Sequence, residues 1–220
     1  MDEKLNELIK KRYNRTAYLF DVMEFMSAPM QAMASDKTRR KLFDQVKGQV
    51  LEVGVGTGKN LRFYPPDCTV TSIDFSPNML ARARKKLAEA QAKGKAKGKA
   101  KGKPKVTLLE MDAQAMTFPD NTFDTVVATC VFCSVPDAIL GLQEIKRVCK
   151  PDGRVLLLEH MRVDKPIIGP LMDAVNPVVV KLMGANINRR TMENIRLAGL
   201  TVLAEEKIFG SLVKLIVAKP

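Results

Sequence analysis

The sequence predicts an α/β fold in which helices cover both faces of a mostly parallel sheet. Short strands rich in valine and leucine alternate with longer helical stretches, and a glycine-rich turn follows the first strand. Strands that are buried on both faces need this apolar composition. With 220 residues, the chain is long enough for one domain with a sizeable core.

The predicted elements alternate along the chain. Residues 3–33 and 36–46 are predicted to be helical, and residues 138–149 and 191–198 form later helices. Another helix begins at Ser76-Pro77, where serine suits the cap and proline suits the first helical position. The predicted strands are 49–53, 70–73, 106–109, 123–128, 154–158, 200–205 and 212–218, with the last two antiparallel.

The chain divides into a helical segment and an α/β domain. Residues 1–46 are predicted to form an N-terminal lid, or an amphipathic segment that lies on a membrane surface, because they are first cationic and then methionine-rich. Residues 47–220 are predicted to form the α/β domain, which would carry any catalytic site. Within it, residues 93–105 are a flexible lysine-rich insertion, and residues 164–190 are too apolar for a plain loop and are predicted to cap the site.

The net charge of +12 is concentrated in the insertion. Seven lysines lie in residues 93–105, so the rest of the chain carries a net charge of +5. The insertion is interpreted first as a solvated loop and second as a segment attracted to anionic lipid. It has no aromatic residues for base stacking and the chain has no nucleic-acid module, so no specific nucleic-acid partner is expected.

Other patterns bear on compartment and redox state. No apolar run reaches the roughly 18–20 residues of a membrane span, and the charged start does not resemble a signal peptide. A cytoplasmic protein is expected, with peripheral attachment to the inner membrane surface as an extension of the lipid hypothesis. Cys130 and Cys133 form a CxxC without a second ligand pair, so packing is expected and a metal is not.

Three acidic residues follow successive strands. Glu52 enters the turn Gly54-Val-Gly56-Thr-Gly58, whose glycines let a ligand approach the backbone. Asp74 ends the next strand, where a carboxylate can bind both hydroxyls of a ribose. Asp112 follows the third strand, where it can accept a hydrogen bond from an adenine amino group. Each acid alone has a solvated strand-end alternative, but three at one sheet edge favour a nucleoside site.

These blocks resemble a known family. LEVGVGTG, SIDFSPNML, MDAQAMTFPDNTFDTVVA and EIKRVCKPDGRVLLLEH are similar, in order, to the motifs of class I S-adenosylmethionine-dependent methyltransferases. The chain most resembles the quinone-biosynthesis methyltransferases and the small bacterial phosphatidylethanolamine N-methyltransferases. CVFCSV, LRFYP and LLEHMR are also similar to thiol methyltransferases. The resemblance implies a Rossmann-like seven-strand sheet with helices on both faces, and S-adenosylmethionine as cofactor, released as S-adenosylhomocysteine.

The resemblance also implies roles for individual residues. Glu52 orients the glycine turn or the amino group of the cofactor, Asp74 binds the ribose, and the aromatic ring of Tyr13 touches the sulfonium end. YNRTAYLFD departs from the related YDxxAxxYD block at Asn14 and Phe20. The full set of residues predicted to bind the cofactor is Tyr13, Glu52, Gly54, Gly56, Gly58, Asp74, Phe75, Met79, Asp112, Ala113 and Cys130.

His160 and Tyr13 are the candidate catalytic residues. His160 is the sole histidine and follows a strand at the sheet edge where α/β proteins bind substrates. It is interpreted either as a group that takes a proton from the acceptor or as a structural histidine. Glu159 is the weaker candidate.

The sequence leaves the methyl acceptor open among an amine nitrogen, a thiol sulfur and a ring carbon. The Asp/Asn-Pro-Pro-aromatic motif of enzymes that methylate nucleobase amino groups is absent after the fourth strand. The preferred acceptor is a lipid of the phosphatidylethanolamine type, and the alternative is a soluble thiol or a quinone ring. A protein that binds the cofactor without turnover is the non-enzyme alternative.

Overall fold

The computed structural model describes residues 3–16, 31–32, 35–96 and 104–220. The helices are α1 (Glu3–Thr16), α2 (Asp36–Phe43), α3 (Pro77–Ala96), α4 (Ala138–Val148), α5 (Ile168–Met183) and α6 (Thr191–Leu197). The strands are β1 (Gln49–Val53), β2 (Thr69–Asp74), β3 (Lys105–Glu110), β4 (Phe123–Thr129), β5 (Cys149–His160), β6 (Thr201–Phe209) and β7 (Val213–Lys219).

The seven strands form one sheet in the order β3-β2-β1-β4-β5-β7-β6. The first five strands pair in parallel, and β7 runs antiparallel between β5 and β6. The predicted Rossmann-like seven-strand fold is therefore confirmed. The strand order reverses between β1 and β4, and doubly wound sheets bind ligands at such a reversal.

The core lies on both faces of the sheet. Leu51 and Val53 of β1 pack on the same side as Leu142 and Ile145 of α4. Val50, which precedes Leu51, points to the other face, where the aromatic side chains of Phe43 and Tyr64 meet edge to face. This two-sided burial explains why β1 is apolar throughout apart from Gln49 and Glu52.

The structure differs from the predicted boundaries at two helix–strand junctions. β5 begins at Cys149 and not at residue 154, because Cys149 pairs with Phe123 before a register shift in β4. α3 continues to Ala96, so the first four residues of the predicted lysine-rich loop are helical. Residues 97–103 of that loop lie outside the described residues.

The N-terminal segment is described only in part. α1 supports the predicted helix as far as Thr16. The methionine-rich stretch with Met23, Phe25, Met26, Met30 and Met33 lies outside the described residues. None of the helices that the structure describes combines the length and the apolar composition needed to cross a membrane.

Candidate active site

A cavity of about 610 Å³ opens at the carboxyl edge of the sheet, where the strand order reverses. Its wall is largely apolar, and its volume suits a small-molecule ligand. Ten of the twelve residues that the sequence analysis assigns to the site line this cavity: Tyr13, Gly54, Gly56, Asp74, Phe75, Met79, Asp112, Ala113, Cys130 and His160. Glu52 and Gly58 are not part of the lining.

The glycines of the turn after β1 serve different purposes. All three have positive φ angles. A Cβ on Gly54 would lie 2.5 Å from the side chain of Val131, and a Cβ on Gly58 would lie 3.0 Å from the backbone of Ala83. A Cβ on Gly56 would meet nothing within 4 Å. Gly54 and Gly58 therefore permit close packing, with Gly58 against α3, whereas Gly56 leaves open space in the cavity wall.

Glu52 lies behind the turn. Its Oε1 accepts a hydrogen bond from Asn60 Nδ2 at 2.8 Å, and its Oε2 accepts one from Ser72 Oγ at 2.8 Å. Arg39 Nη1 donates to Asn60 Oδ1, and both Arg39 and Asn60 line the cavity. Burial raises the pKa of Glu52. Of the two roles inferred from the resemblance, this network supports orientation of the turn.

Arg39 and Asn60 are site residues that the sequence analysis misses. Asn60 follows the glycine turn by two positions, so its place beside the motif is a local signal. Arg39 comes from α2, and its arrival at the cavity depends on how that helix packs. No local pattern indicates this position.

Asp74 holds the turn and also faces the cavity. Its Oδ2 accepts the N–H of Gly56 at 2.8 Å, and its Oδ1 accepts the N–H of Ser76 at 2.9 Å. Burial raises the pKa of Asp74 to about 6, against the lowering effect of these two bonds. Each carboxylate oxygen keeps further lone pairs, so the group can still accept hydrogen bonds from a vicinal diol.

The residues that follow β2 and β3 line one side of the cavity. Phe75 and Met79 provide apolar surface, and Ala113 lies beside them in the lining. Asp112 Oδ1 accepts the N–H of Gln114 at 2.9 Å and also its side-chain amide at 3.1 Å. This turn fixes the Asp112 carboxylate at the edge of the cavity.

Tyr13 reaches the cavity from α1. Its hydroxyl is hydrogen bonded to Ser134 Oγ, and its ring centroid lies 5.8 Å from that of Phe75. Burial raises the pKa of Tyr13, so the phenol remains protonated at neutral pH. The neighbouring Asn14, which replaces the acid of related sequences, accepts a hydrogen bond from Ser76 Oγ at 2.6 Å.

α5 forms the wall opposite the sheet edge. Four of its side chains line the cavity: Ile168, Met172, Val179 and Met183. The helix is anchored by Asp173, whose carboxylate accepts from Arg162 Nη2 at 2.9 Å. Arg12 of α1 donates to the carbonyl oxygen of Val180 at 2.7 Å. The two helices therefore meet above the sheet edge.

The last two residues of β5 point to different environments. His160 lines the cavity, and burial lowers its pKa to about 4, so the imidazole is neutral at physiological pH. Glu159, in contrast, does not line the cavity: it is fully buried, and its Oε1 accepts the N–H of Val131 at 2.8 Å. Burial raises the pKa of Glu159 to about 7. A neutral imidazole offers one donor and one acceptor to a ligand.

Of the two cysteines that follow β4, Cys133 is buried and Cys130 is partly buried. Burial raises the pKa of Cys133 to about 12, which leaves little thiolate at neutral pH. Cys130 contributes to the cavity wall. In the described part of the chain, no group of three or more metal-ligating side chains comes together.

Comparison with known proteins identifies the family. Residues 51–157 match a family described as a methyltransferase domain. The chain is 38% identical over 166 residues to a phosphatidylethanolamine N-methyltransferase from Cereibacter sphaeroides, covering 75% of this chain and 72% of that protein. It is 31% identical to the human thiol S-methyltransferase TMT1B, covering 64% of this chain and 58% of that protein. It is 35% identical to the ubiquinone/menaquinone biosynthesis C-methyltransferase UbiE of Geobacter sulfurreducens, covering 51% of this chain and 41% of that protein.

Solved structures agree in fold. An S-adenosylmethionine-dependent methyltransferase from Aquifex aeolicus matches with a TM-score of 0.55 and 21% identity, covering 87% of this chain and 98% of that one. The [4+2]-cyclase SpnF matches with a TM-score of 0.62 and 19% identity, covering 84% of this chain and 79% of that one. At such low sequence identities, the two structural matches establish only the fold. With the motifs and the 38% identical relative, they show that the chain belongs to the class I S-adenosylmethionine-dependent methyltransferases.

Proposed function

We propose that this methyltransferase transfers the methyl group to the amine of phosphatidylethanolamine or a closely related amphiphile at a membrane surface. The exposed apolar surface of α5, which adjoins the cavity, is the observation that carries this proposal. S-adenosylmethionine is the methyl donor. The assignment of the chain as a methyltransferase does not depend on which acceptor it uses.

The cavity has the residues that this cofactor needs. Asp74 offers a carboxylate to the ribose hydroxyls, and Phe75 and Met79 offer apolar surface to the adenine ring. We assign Asp112, which lines the cavity, to the adenine amino group. The open space at Gly56 leaves room for the methionine portion beside the turn. The residues present therefore fit the cofactor.

Catalysis then depends on the position of the acceptor atom relative to the methyl group. The bound cofactor supplies an electrophilic methyl group on a positively charged sulfur. The chain has to hold the acceptor atom in line and keep water away, and positioning of this kind can lower a barrier by several kcal/mol. We assign Tyr13 to the wall near the reacting atoms and His160 to the acceptor side. As a neutral imidazole, His160 can accept a hydrogen bond from an amine.

α5 is apolar on its outer face as well as on the face that lines the cavity. Its outer face includes Leu171 and Leu182, which are 61% and 64% exposed, and also Val175 and Val178. These positions recur at spacings of three and four residues, so they form one stripe along the helix. Exposed apolar stripes of this kind mark contacts with membranes or other proteins.

Basic residues flank this stripe. Lys165 precedes α5 and Lys181 lies in its last turn, and both are exposed. α1, which contacts α5 through Arg12, carries the exposed Lys11 and Arg15. Apolar side chains between cationic ones suit a surface of anionic phospholipid, in which each basic residue contributes about 1 kcal/mol.

The structure also changes the surface that α1 offers to a membrane. Leu8 and Ile9 are neighbours within the segment that the sequence predicts to be amphipathic. Leu8 is 43% exposed, whereas Ile9 is only 3% exposed and belongs to the protein interior, so the two do not form one membrane-facing surface. α5 supplies a better candidate for the apolar contact.

The names of the relatives support two acceptor classes besides the lipid amine. One relative is a thiol S-methyltransferase and another is a quinone C-methyltransferase. An apolar cavity accommodates a quinone ring as well as an acyl chain. A soluble thiol or a quinone ring is therefore the alternative acceptor.

Release of S-adenosylhomocysteine from a panel of acceptors tests the proposal. The panel contains vesicles of phosphatidylethanolamine with anionic phosphatidylglycerol, a soluble alkyl thiol and a demethylated quinol. We expect turnover with the vesicles, and vesicle binding that weakens with salt because the cationic contribution is screened. Rapid methylation of the thiol or the quinol by a protein that ignores vesicles would contradict the lipid acceptor and leave the family assignment intact.

Variants of α5 locate the membrane contact. The double substitution Leu171→Glu with Leu182→Glu should reduce vesicle binding at least tenfold and leave cofactor affinity unchanged, because both side chains point away from the cavity. Leu197→Glu, on an exposed position of α6, is the matched control. Equal vesicle binding by the double variant and this control would show that α5 does not carry the contact.

A further inference from the structure

The loop between β4 and α4 forms a large part of the cavity wall. We call residues 130–136 the β4 loop. Six of its seven residues line the cavity: Cys130, Val131, Cys133, Ser134, Val135 and Pro136. The loop follows β4, which lies next to β1 and its glycine turn. An acceptor that faces the cofactor would therefore lie against the β4 loop.

The backbone of the β4 loop begins with a sparsely populated conformation. Cys130 has a φ angle of 57°, and a residue with a Cβ adopts this region at a cost of about 1 kcal/mol or more. A loop in such a conformation persists only when surrounding contacts hold it. Cys130 N donates to the carbonyl oxygen of Leu158 at 2.9 Å, which is the first of these contacts.

Glu159 holds the next two backbone groups. Its Oε1 accepts both the N–H of Val131 at 2.8 Å and the N–H of Phe132 at 3.3 Å. The carboxylate comes from the end of β5, so these bonds cross from one strand end to the neighbouring loop. Hydrogen bonds from backbone N–H groups to a charged carboxylate are about twice as strong as neutral ones.

The segment after α5 holds the other end of the loop. The carbonyl oxygen of Cys133 accepts from Asn186 N at 2.8 Å and from Asn186 Nδ2 at 3.0 Å. Arg189 Nη2 donates to the carbonyl oxygen of Val135 at 2.6 Å and to that of Pro136 at 3.3 Å. The β4 loop is therefore fixed between β5 and the residues that follow α5.

Glu159 is an unusual residue to hold a loop, because its carboxylate is buried and only partly hydrogen bonded. Its side chain is 0% exposed, and its second oxygen, Oε2, has no hydrogen-bond partner among the described residues. A buried carboxylate with one unpartnered oxygen costs free energy that a neutral side chain would avoid. The positive charge of Arg189 favours the ionised form of this carboxylate, and Cys133 of the β4 loop lies near the same group.

We propose that Glu159 is the positioning residue of the acceptor side: its carboxylate sets the backbone of the β4 loop, and thereby the distance and angle at which the acceptor meets the methyl group. The inference rests on the proposed placement of the acceptor against this loop. It does not depend on which acceptor the enzyme uses. Glu159 acts through Val131 and Phe132 and does not itself line the cavity.

Three substitutions separate a positioning role from a purely structural one. Glu159→Ala removes the acceptor of both N–H groups, so kcat should fall at least tenfold while the affinity for S-adenosylmethionine stays within about threefold. Glu159→Gln keeps an oxygen at the Oε1 position and should restore kcat to within about threefold of the wild type. Glu205→Gln, on an exposed position of β6, is the control for loss of one negative charge.

The pH dependence gives a second measurement. Burial raises the pKa of Glu159 to about 7, whereas Arg189 lowers it, and the neighbouring His160 stays neutral at this pH. The carboxylate binds the two N–H groups more strongly than the protonated acid does. The ratio of kcat for the wild type to kcat for Glu159→Gln should therefore rise as the pH increases through about 7, and titration of the acceptor cancels in this ratio.

The kinetics use whichever of the phosphatidylethanolamine vesicles, alkyl thiol and quinol the wild type methylates fastest. Turnover of the thiol or the quinol alone would contradict the lipid acceptor and still test Glu159. An unchanged kcat in Glu159→Ala would overturn the positioning role. So would a Glu159→Gln protein that shows no rescue, or a flat ratio across pH. If Glu159→Ala fails to fold, the pH dependence of the ratio still decides the question, because glutamine has the same shape as glutamate and does not titrate.

Discussion

Asn14 of α1 accepts a hydrogen bond at 2.6 Å from Ser76, the residue that caps α3. The same Ser76 hydroxyl lies 3.2 Å from the N–H of Met79, and the Ser76 N–H donates to Asp74. One cap residue therefore joins the N-terminal helix to the carboxylate proposed for the ribose. Asn78 Nδ2 adds a bond at 3.0 Å to the carbonyl oxygen of Asn14.

This contact predicts that α1 influences cofactor affinity. Asn14→Ala should weaken S-adenosylmethionine binding by about two- to tenfold, because one net hydrogen bond contributes roughly 0.5–1.5 kcal/mol. Titration calorimetry measures the change, and Lys11→Ala, on an exposed position of α1, is the control. Equal affinities in the two variants would show that α1 does not rest on the α3 cap in solution.

Asp74 should determine affinity for the methyl donor. Asp74→Ala should weaken binding by about 10- to 100-fold, because charge-assisted hydrogen bonds contribute roughly 1.5–3 kcal/mol. Since the pKa of Asp74 is raised to about 6, the carboxylate is lost as the pH falls through that value. Wild-type affinity should therefore weaken from pH 7 to pH 5.

Asp74→Asn provides the control for that pH dependence, because the amide does not titrate. Its affinity should be low and nearly constant between pH 5 and pH 7. Calorimetry that finds wild-type affinity in a folded Asp74→Ala protein would mean that the cofactor binds elsewhere.

Tyr13 should affect turnover more than membrane binding. Tyr13→Ala should keep vesicle binding and lower the rate at least tenfold, because the ring and its contact with Ser134 lie inside the cavity. Tyr13→Phe keeps the ring and removes the hydroxyl, so it should recover most of the rate if the aromatic surface is what matters. Truncation before Ser35 should impair both turnover and vesicle binding, because α1 leaves with Tyr13.

The lysine-rich insertion should contribute little to stability. Replacing residues 97–103 with a neutral linker should leave the melting temperature nearly unchanged, because this stretch of lysine, glycine and alanine has no large apolar side chains to bury. Differential scanning calorimetry measures this. A loss of several degrees would show that the segment packs. If its charge attracts anionic lipid, the same replacement should also weaken vesicle binding at low salt.

The features that the sequence predicts most accurately are those encoded by a local sequence motif. The glycine turn and Asp74 belong to a strand–turn–helix motif, and their place at the cavity follows from the order of the strands. The position of Glu52 behind the turn depends on Asn60 and Ser72, which lie 8 and 20 residues away. Ser72 lies on the neighbouring strand β2, and a partner on another strand leaves no local signal in the sequence.

Two further differences between the predicted and observed structure involve proline and glycine. Residues 150–153 contain both and are predicted to separate a helix from a strand, yet the pairing of Cys149 with Phe123 draws them into β5. Pro170 and Pro177 likewise argue against the helix observed as α5. Pro170 lies in the first turn, where a missing N–H breaks no helical bond, whereas Pro177 is accommodated in the interior of the helix. At residues 150–153, pairing with β4 therefore overrode the local preference.

The end of β5 carries two neighbouring residues with different tasks, and strand geometry ties these tasks together. Glu159 pairs with Lys214 and His160 with Val213 in the antiparallel ladder to β7. Successive side chains of a strand point to opposite faces, so a shift of one residue in this pairing would turn His160 away from the cavity and Glu159 into it. A single inserted or deleted residue within residues 154–158 would therefore abolish both tasks at once, even though Glu159 and His160 would still be present in the sequence.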